Sequence, residues 1–420
     1  MSFMIVPEPL FNKDMAVQAY RLRTFDCDKL MGIQDDFRKM DEAFSNPGLN
    51  MVEQIGIAPL TGGKKLFAEI SHVQLMTGIP KNLKIRPEQL VCVLPHDAFH
   101  EQSTVSALVP LREMGYEFAL SAHGNYQKKS LEEASDLIQY VVLDYTQSYF
   151  PDWYRGVKQT LQNVRTVICD VPNVKALNAF DADSTAYFSG EYYQLPVEKS
   201  NAAMSPVKIN SLQLLKQVNK DDFELSEISK IIERDPYLTV SLLRYVRSEI
   251  SGINREITSS KQAVAILGQK AIKRWATIAL SMNLGADGPS EITRLALLRA
   301  RFAEELAPIF ELGAFQNSLF LMGLFSLLDV MLDKPMKLAI REIAVEDRVK
   351  QALVDRKGPF APVLEAIAAY ERANWSALSI ILIHNNADME RVSQAYISSL
   401  MWYKSMLDSI KSDAKDKSHA

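Results

Sequence analysis

Histidine is scarce in this chain: six in 420 residues, with none between His123 and His384. An imidazole-built metal centre is therefore excluded from that whole stretch. Cysteine is scarcer still. Cys27, Cys92 and Cys169 are odd in number, far apart and without metal-binding spacing, so they read as reduced thiols. No apolar run reaches bilayer length; the longest, Leu319 to Leu332, is interrupted by Ser326 and Asp329. The opening M-S-F-M-I-V-P-E-P lacks the basic-then-apolar layout of a secretory signal. A cytoplasmic location is expected by elimination. Basic residues do not outnumber acidic ones (47 against 51, net charge −4), so nothing in the bulk charge favours nucleic acid or an anionic membrane. G-x-S-x-G, a G-x-G-x-x-G after a strand, a P-loop and C-x-x-C are all missing. Thr61-Gly62-Gly63-Lys64-Lys65 lacks the spacing of a phosphate loop and reads as a turn into a strand.

What is present is an ordinary globular composition, 47% apolar and 23% charged, long enough for two or three cores. Residues 1–200 alternate β-type runs with helix-type stretches. The runs are Phe3–Val6, Val17–Leu22, Lys65–Ile70, Leu90–Leu94, Glu117–Leu120, Tyr140–Leu143, Val164–Ile168 and Ala186–Phe188. Helical segments such as Thr104–Met114 and Leu131–Ile138 lie between them. Eight strands with interleaved helices predict a (β/α) barrel. F-N-K-D-M is too short for a crossover helix, so the first two strands should pair antiparallel. The expected barrel domain spans 1–198. A small, polar stretch without periodicity makes 199–207 the linker. Residues 208–408 carry helical periodicity and almost no strand signal, as in Leu295–Leu312, Ser318–Leu332, Lys337–Ala344, Ala361–Ala373 and Met389–Lys411. The charged end, 409–420, is expected to be a mobile tail.

Within the helical half, Leu225–Ile272 has the clearest order. Ile228, Ile231 and Ile232 form one stripe. Asp235 can cap a helix opening at Pro236, whose buried face would carry Leu238, Leu242, Leu243, Val246 and Ile250. Gly252 stops it, and Ser259 or Ser260 can cap a third helix carrying Ala263, Ile266 and Leu267. The wording D-P-Y-L-T-V-S-L-L-R, then R-E-I-T-S-S-K-Q-A-V-A-I-L-G, resembles the opening of an HDOD domain. That is an all-helical signalling module related to metal-dependent HD phosphohydrolases. The resemblance puts Ser326-Leu327 where the hydrolases have their His-Asp pair, with Asp329 as a helix-surface or cap residue.

The N-terminal half resembles EAL-type barrels. The resemblance rests on P-E-P-L-F-N-K-D-M-A-V-Q-A-Y-R-L-R, on Gly56–Ser71, on G-Y-E-F-A-L at Gly115–Leu120 and on Y-F-S-G-E-Y-Y-Q-L-P at Tyr187–Pro196. It implies a site for cyclic di-GMP hydrolysis, built on two divalent metals and oxygen ligands at the C-terminal strand ends. At the positions it implies, this sequence has Arg21 for the motif Glu and Glu69 for an Asn. Val93 stands for a Glu, Ser121-Ala122 for paired aspartates, Val142 for a Lys and Asp170 for a Glu. An Arg cannot ligate a cation. Glu69 and Asp170 are either rim carboxylates or remnants of a metal or nucleotide contact. Arg21 and Arg23, which share a strand face, either bind an anion or are salt-bridged. The spacing of His96 and His100 does not make a metal site, because no acidic cluster completes it; His123 sits after the lost aspartates.

The expectation is a non-catalytic regulatory protein: a degenerate EAL-like barrel and a metal-free HDOD domain, with no cofactor and no metal. Its partners would be proteins, with Lys270, Lys273 and Arg274 around Trp275 either a docking surface or a helix face over a core Trp. Two alternatives remain open: a cyclic di-GMP receptor, and a residual phosphodiesterase.

Overall fold

The computed structural model describes residues 3–26, 45–125, 127–161, 163–180, 186–195, 206–220, 223–233, 236–247, 259–284, 290–343 and 345–416. Cys27, Asp235, Gly252, Ile250, positions 199–205 of the expected linker, the side chain of Leu243 and the last four residues lie outside them. The chain divides into two compact units. One is Met1–Leu195 with Ala369–Ile380; the other is Pro196–Ala368 with Ile381–Ala420.

The first unit is a closed eight-stranded barrel in simple order. Its strands are β1 (Phe3–Phe11), β2 (Val17–Asp26), β3 (Lys65–Glu69), β4 (Leu90–Pro95), β5 (Glu117–Ser121), β6 (Tyr140–Asp144), β7 (Arg165–Cys169) and β8 (Tyr187–Phe188). β1 runs antiparallel to both β2 and β8, and every other pair is parallel. The tight turn sets this: the Asn12 side chain accepts from Ala16 N at 2.9 Å, and Met15 takes a left-handed φ of 60°. β1 and β2 run longer than their apolar patterns suggest. Pro7 and Pro9 mask the strand signal of β1, yet β1 meets β8 only at Phe11–Phe188, leaving it an edge along most of its length where proline is tolerated.

Side chains of period two fill the barrel. Leu10, Ala19, Phe67, Val91, Ala119, Tyr140 and Val167 converge, with Phe67 and Tyr140 meeting edge to face at 4.8 Å. Four helices on the outside matter below: α1 (Pro47–Ile55), α2 (Gln102–Glu113), α3 (Lys128–Ala134) and α4 (Phe150–Thr160). The glycine in Y-F-S-G is required by its backbone. Gly190 has φ 145°, and any Cβ there would collide with the Val171 main chain.

The second unit is helical: α5 (Pro206–Val218), α6 (Leu225–Glu233), α7 (Pro236–Arg247), α8 (Ser260–Leu284), α9 (Ser290–Leu306), α10 (Gln316–Phe325), α11 (Leu328–Leu332) and further short turns. α12 (Ala361–Glu371) and α13 (Trp375–His384) contain the segment that belongs to the barrel unit, and α14 (Met389–Asp416) follows. Ser259 is the cap of α8, accepting from Gln262 N at 3.2 Å. Gly268, with φ 70°, breaks α8 after its second turn, and Ile266 is exposed rather than part of the buried face. α9 packs on α10 and α14. A Cβ at Gly323 would collide with the Arg299 carbonyl, so only glycine permits that helix approach. The charged end expected as a tail continues α14 as far as Asp416. Among the described residues no helix is long and apolar enough to cross a membrane.

Candidate functional site

Alternation along each strand aims every second side chain into the barrel. One step beyond the apolar layer, toward the C-terminal strand ends, lie Arg21 on β2, Glu69 on β3, Val93 on β4, Ser121 on β5, Val142 on β6 and Cys169 on β7. The register fixes this: Arg21 is level with Phe67, Glu69 with Val93, and Ser121 with Val142. The structure thus gathers most of the positions singled out from sequence. Val93 and Val142 belong to the packed core and offer no polar atom. Ala122 lies one residue past β5 and is buried, its amide donating to the Val142 carbonyl at 3.0 Å. The inward residue of β7 is Cys169; Asp170 follows it in a left-handed conformation, φ 57°.

The charges at this end face one another. Arg21 Nη2 meets Glu69 Oε1 at 3.0 Å, and Arg23 Nη1 meets Asp170 Oδ1 at 3.5 Å. Between them stands Glu8, 3.9 Å from each guanidinium. Arg21 and Arg23 are therefore salt-bridged. Glu8 was not singled out from sequence, although a signal existed. Once β1 and β2 pair antiparallel, Glu8 falls directly opposite Arg21. Its side chain is only 13% exposed. Burial raises the Glu8 carboxyl above the usual range, against the pull of Arg21 and Arg23. The Cys169 thiol beside them is pushed up by burial to about 11, so it stays protonated near neutrality.

A cavity of about 520 Å³ opens here, lined among others by Phe3, Phe25, Asn46, Glu69, Ser121 and His123. Asn46 ties its wall together: its side chain caps α1 through Leu49 N at 3.0 Å and donates to the Glu69 carbonyl at 2.9 Å. Glu69 Oε1 is engaged by Arg21, so a cation at Glu69 would share the carboxylate with a fixed positive charge. The chemistry the pocket offers is shape, the Glu69 carboxylate, itself paired with Arg21, and the aromatic faces of Phe3 and Phe25.

Four histidines of this unit separate into two kinds. His72 bonds Thr104 Oγ1 at 2.7 Å and faces Glu101 at 3.2 Å; His100 bonds Ser130 Oγ at 2.8 Å. The spacing of His96 and His100 is thus not what counts. His96 instead meets His123, from the end of β5, with ring centroids 4.4 Å apart. Asp97 supplies the acidic partner that sequence spacing did not reveal. Among the described residues, His96, Asp97 and His123 form the group whose donor atoms lie within 4.8 Å of one another. This group was not singled out from sequence, where no acidic cluster completed His96 and His100.

In the helical unit, Ser326 and Leu327 fall at the break between α10 and α11. Ser326 Oγ donates to the Gly323 carbonyl at 2.6 Å and accepts from Arg299 Nη1 at 3.2 Å. Leu327 is buried. Asp329 is half-buried, and burial raises its carboxyl. Of the two readings of this segment, Trp275 fits the core one, at 2% exposed, while Lys270 is exposed. Arg274 is held by both oxygens of Glu304, at 2.7 and 3.0 Å, and lies over Phe320.

Residues 206–332 match the HDOD domain, so the helical unit carries that domain. Bacillus subtilis YuxH is 26% identical over 417 residues, covering 97% of this chain and all of that protein. The Vibrio cholerae cyclic di-GMP phosphodiesterase CdgJ is 23% identical over 401 residues, covering 95% of this chain and 91% of CdgJ. Among solved structures, the EAL enzyme Bd1971 with cAMP and cyclic di-GMP bound aligns over 45% of this chain at a TM-score of 0.34 and 10% identity. This chain spans 60% of that structure's length.

Proposed function

We propose that this chain, an eight-stranded barrel coupled to an HDOD domain, is a non-catalytic regulator in cyclic di-GMP signalling that works in the cytoplasm through contacts with other proteins. The observation that carries this reading is Arg21. It occupies an inward position at the C-terminal strand ends and bonds Glu69 at 3.0 Å, with Glu8 3.9 Å away. Two-metal phosphodiester hydrolysis needs a cluster of free anionic oxygens. Here a fixed cation sits among the carboxylates. Val93 and the Ser121-Ala122 pair give no carboxylate at their positions. In the HDOD domain, Ser326-Leu327 gives neither imidazole nor carboxylate, and the guanidinium of Arg299 bonds Ser326. Neither nucleic acid nor membrane is part of this reading.

The relationship to a protein named as a cyclic di-GMP phosphodiesterase makes the test direct. The purified chain, with Mg²⁺ or Mn²⁺, should not hydrolyse cyclic di-GMP, and Arg21→Glu alone should not create activity. Turnover that disappears in a Glu69→Ala/Asp170→Ala double variant would overturn the reading. A second reading, binding without hydrolysis, is favoured by the cavity lined by Glu69, the ion-pair partner of Arg21; its size of about 520 Å³ suits a small ligand. Guanidinium groups can hold phosphate without a metal. Calorimetry with cyclic di-GMP separates the two, since the receptor reading requires saturable binding weakened by Arg21→Ala.

A further inference from the structure

We propose that His96, Asp97 and His123 form a binding site for one divalent transition-metal ion of the zinc class, apart from the Arg21–Glu69 pair. The donor set decides the class of ion. Two imidazoles and one carboxylate suit zinc and its neighbours, whereas Mg²⁺ and Ca²⁺ take oxygen ligands. The donor atoms already lie within 4.8 Å of one another. Two ligands on a tetrahedral zinc, each about 2.0–2.1 Å from the ion, stand roughly 3.3 Å apart. Asp97 and His123 are exposed, so side-chain rotation can close that difference.

The fixed member is His96. It is only 7% exposed, and its Nδ1 is buried without a hydrogen-bond partner among the described residues. A buried ring nitrogen left unpaired is costly, and a metal bound through Nδ1 supplies the missing partner. Trp153 of α4 holds the arrangement in place. Its ring meets the His96 ring edge to face at 5.2 Å, while its Nε1 donates to the Gly124 carbonyl at 3.0 Å, next to His123. Gly124, directly after His123, has φ 64°, a left-handed turn suited to glycine. Both ligand-bearing segments are thereby fixed by one buried side chain. Three protein ligands leave a fourth position for water or an anionic oxygen. His123 also lines the cavity, so that position has access to a molecule held there. A single ion with this donor set does not reproduce a two-metal carboxylate site, so the inference stands whether or not the barrel proves catalytic.

The test uses the full chain stripped of metal, with Zn²⁺ measured by calorimetry and Co²⁺ followed by its visible absorption. One ion per chain is expected, undisturbed by a large excess of Mg²⁺. His123→Ala and Asp97→Asn, both at exposed side chains, should each weaken binding by at least about tenfold and remove the rise in melting temperature that Zn²⁺ gives the parent chain. His384→Ala, in the other unit, and Glu69→Ala should leave affinity unchanged. Failure to bind one ion per chain would overturn the proposal. So would affinity that survives His123→Ala, or that falls with Glu69→Ala instead.

Discussion

Glu8 shows how one buried charge can be expensive even between two cations. It faces Arg21 and Arg23 at 3.9 Å, too far for close ion pairing, and burial wins: its carboxyl is raised. A folded protein that holds this proton more tightly than the unfolded chain gains stability below the ordinary Glu value. It loses that gain as pH rises through the raised value. Glu8→Gln carries no charge to bury at any pH. Its melting temperature relative to the parent should therefore climb as pH rises above the ordinary glutamate value. A relative melting temperature that falls over that range would mean that the pairing with Arg21 and Arg23 outweighs desolvation.

Among the elements, α7 tests whether an apolar stripe read from sequence is the buried face. Leu238, Leu242 and Val246 are fully buried, at the i, i+4, i+8 spacing of one helix face, whereas Lys230 on α6 is exposed. Leu242→Ala should lose about 2–5 kcal/mol by leaving a cavity. Lys230→Ala should change stability by less than about 0.5 kcal/mol. Denaturant melts of the two variants, read for the helical unit, measure this; equal effects would show that α7 does not bury that face. α8 gives the contrary lesson. Ser259 caps it as the sequence suggests, but Gly268 breaks it and leaves Ile266 outside. The glycine was visible in L-G-Q-K; that its φ of 70° breaks the helix there was not.

On the scale of the whole molecule, the barrel unit draws on two distant parts of the chain. Ala369–Ile380 belongs to it. Trp375 stacks on Phe25 at 5.2 Å and meets Tyr370 edge to face at 5.6 Å, while Arg372 reaches Glu191 at 2.5 Å. Trp375→Ala should accordingly lower the melting transition of the barrel, by about 1–3 kcal/mol in stability, although the residue lies far from every strand in sequence. An unchanged barrel transition would show that this segment contributes nothing to it. The sequence by itself determined the eight strands in order, the antiparallel first hairpin and the helical second half, because side-chain period and loop length are local properties of the chain. It also placed Arg21, Glu69, Val93, Ser121 and Val142 at successive strand ends. Only the tertiary structure decided which charges meet. Glu8 reaches Arg21 through strand register, and Asp170 reaches Arg23 through a left-handed residue. His96 finds His123 rather than His100 because β4 and β5 end side by side and Trp153 holds the two turns together. Pairings of this kind depend on distances closed by folding, and no local pattern of residues records them.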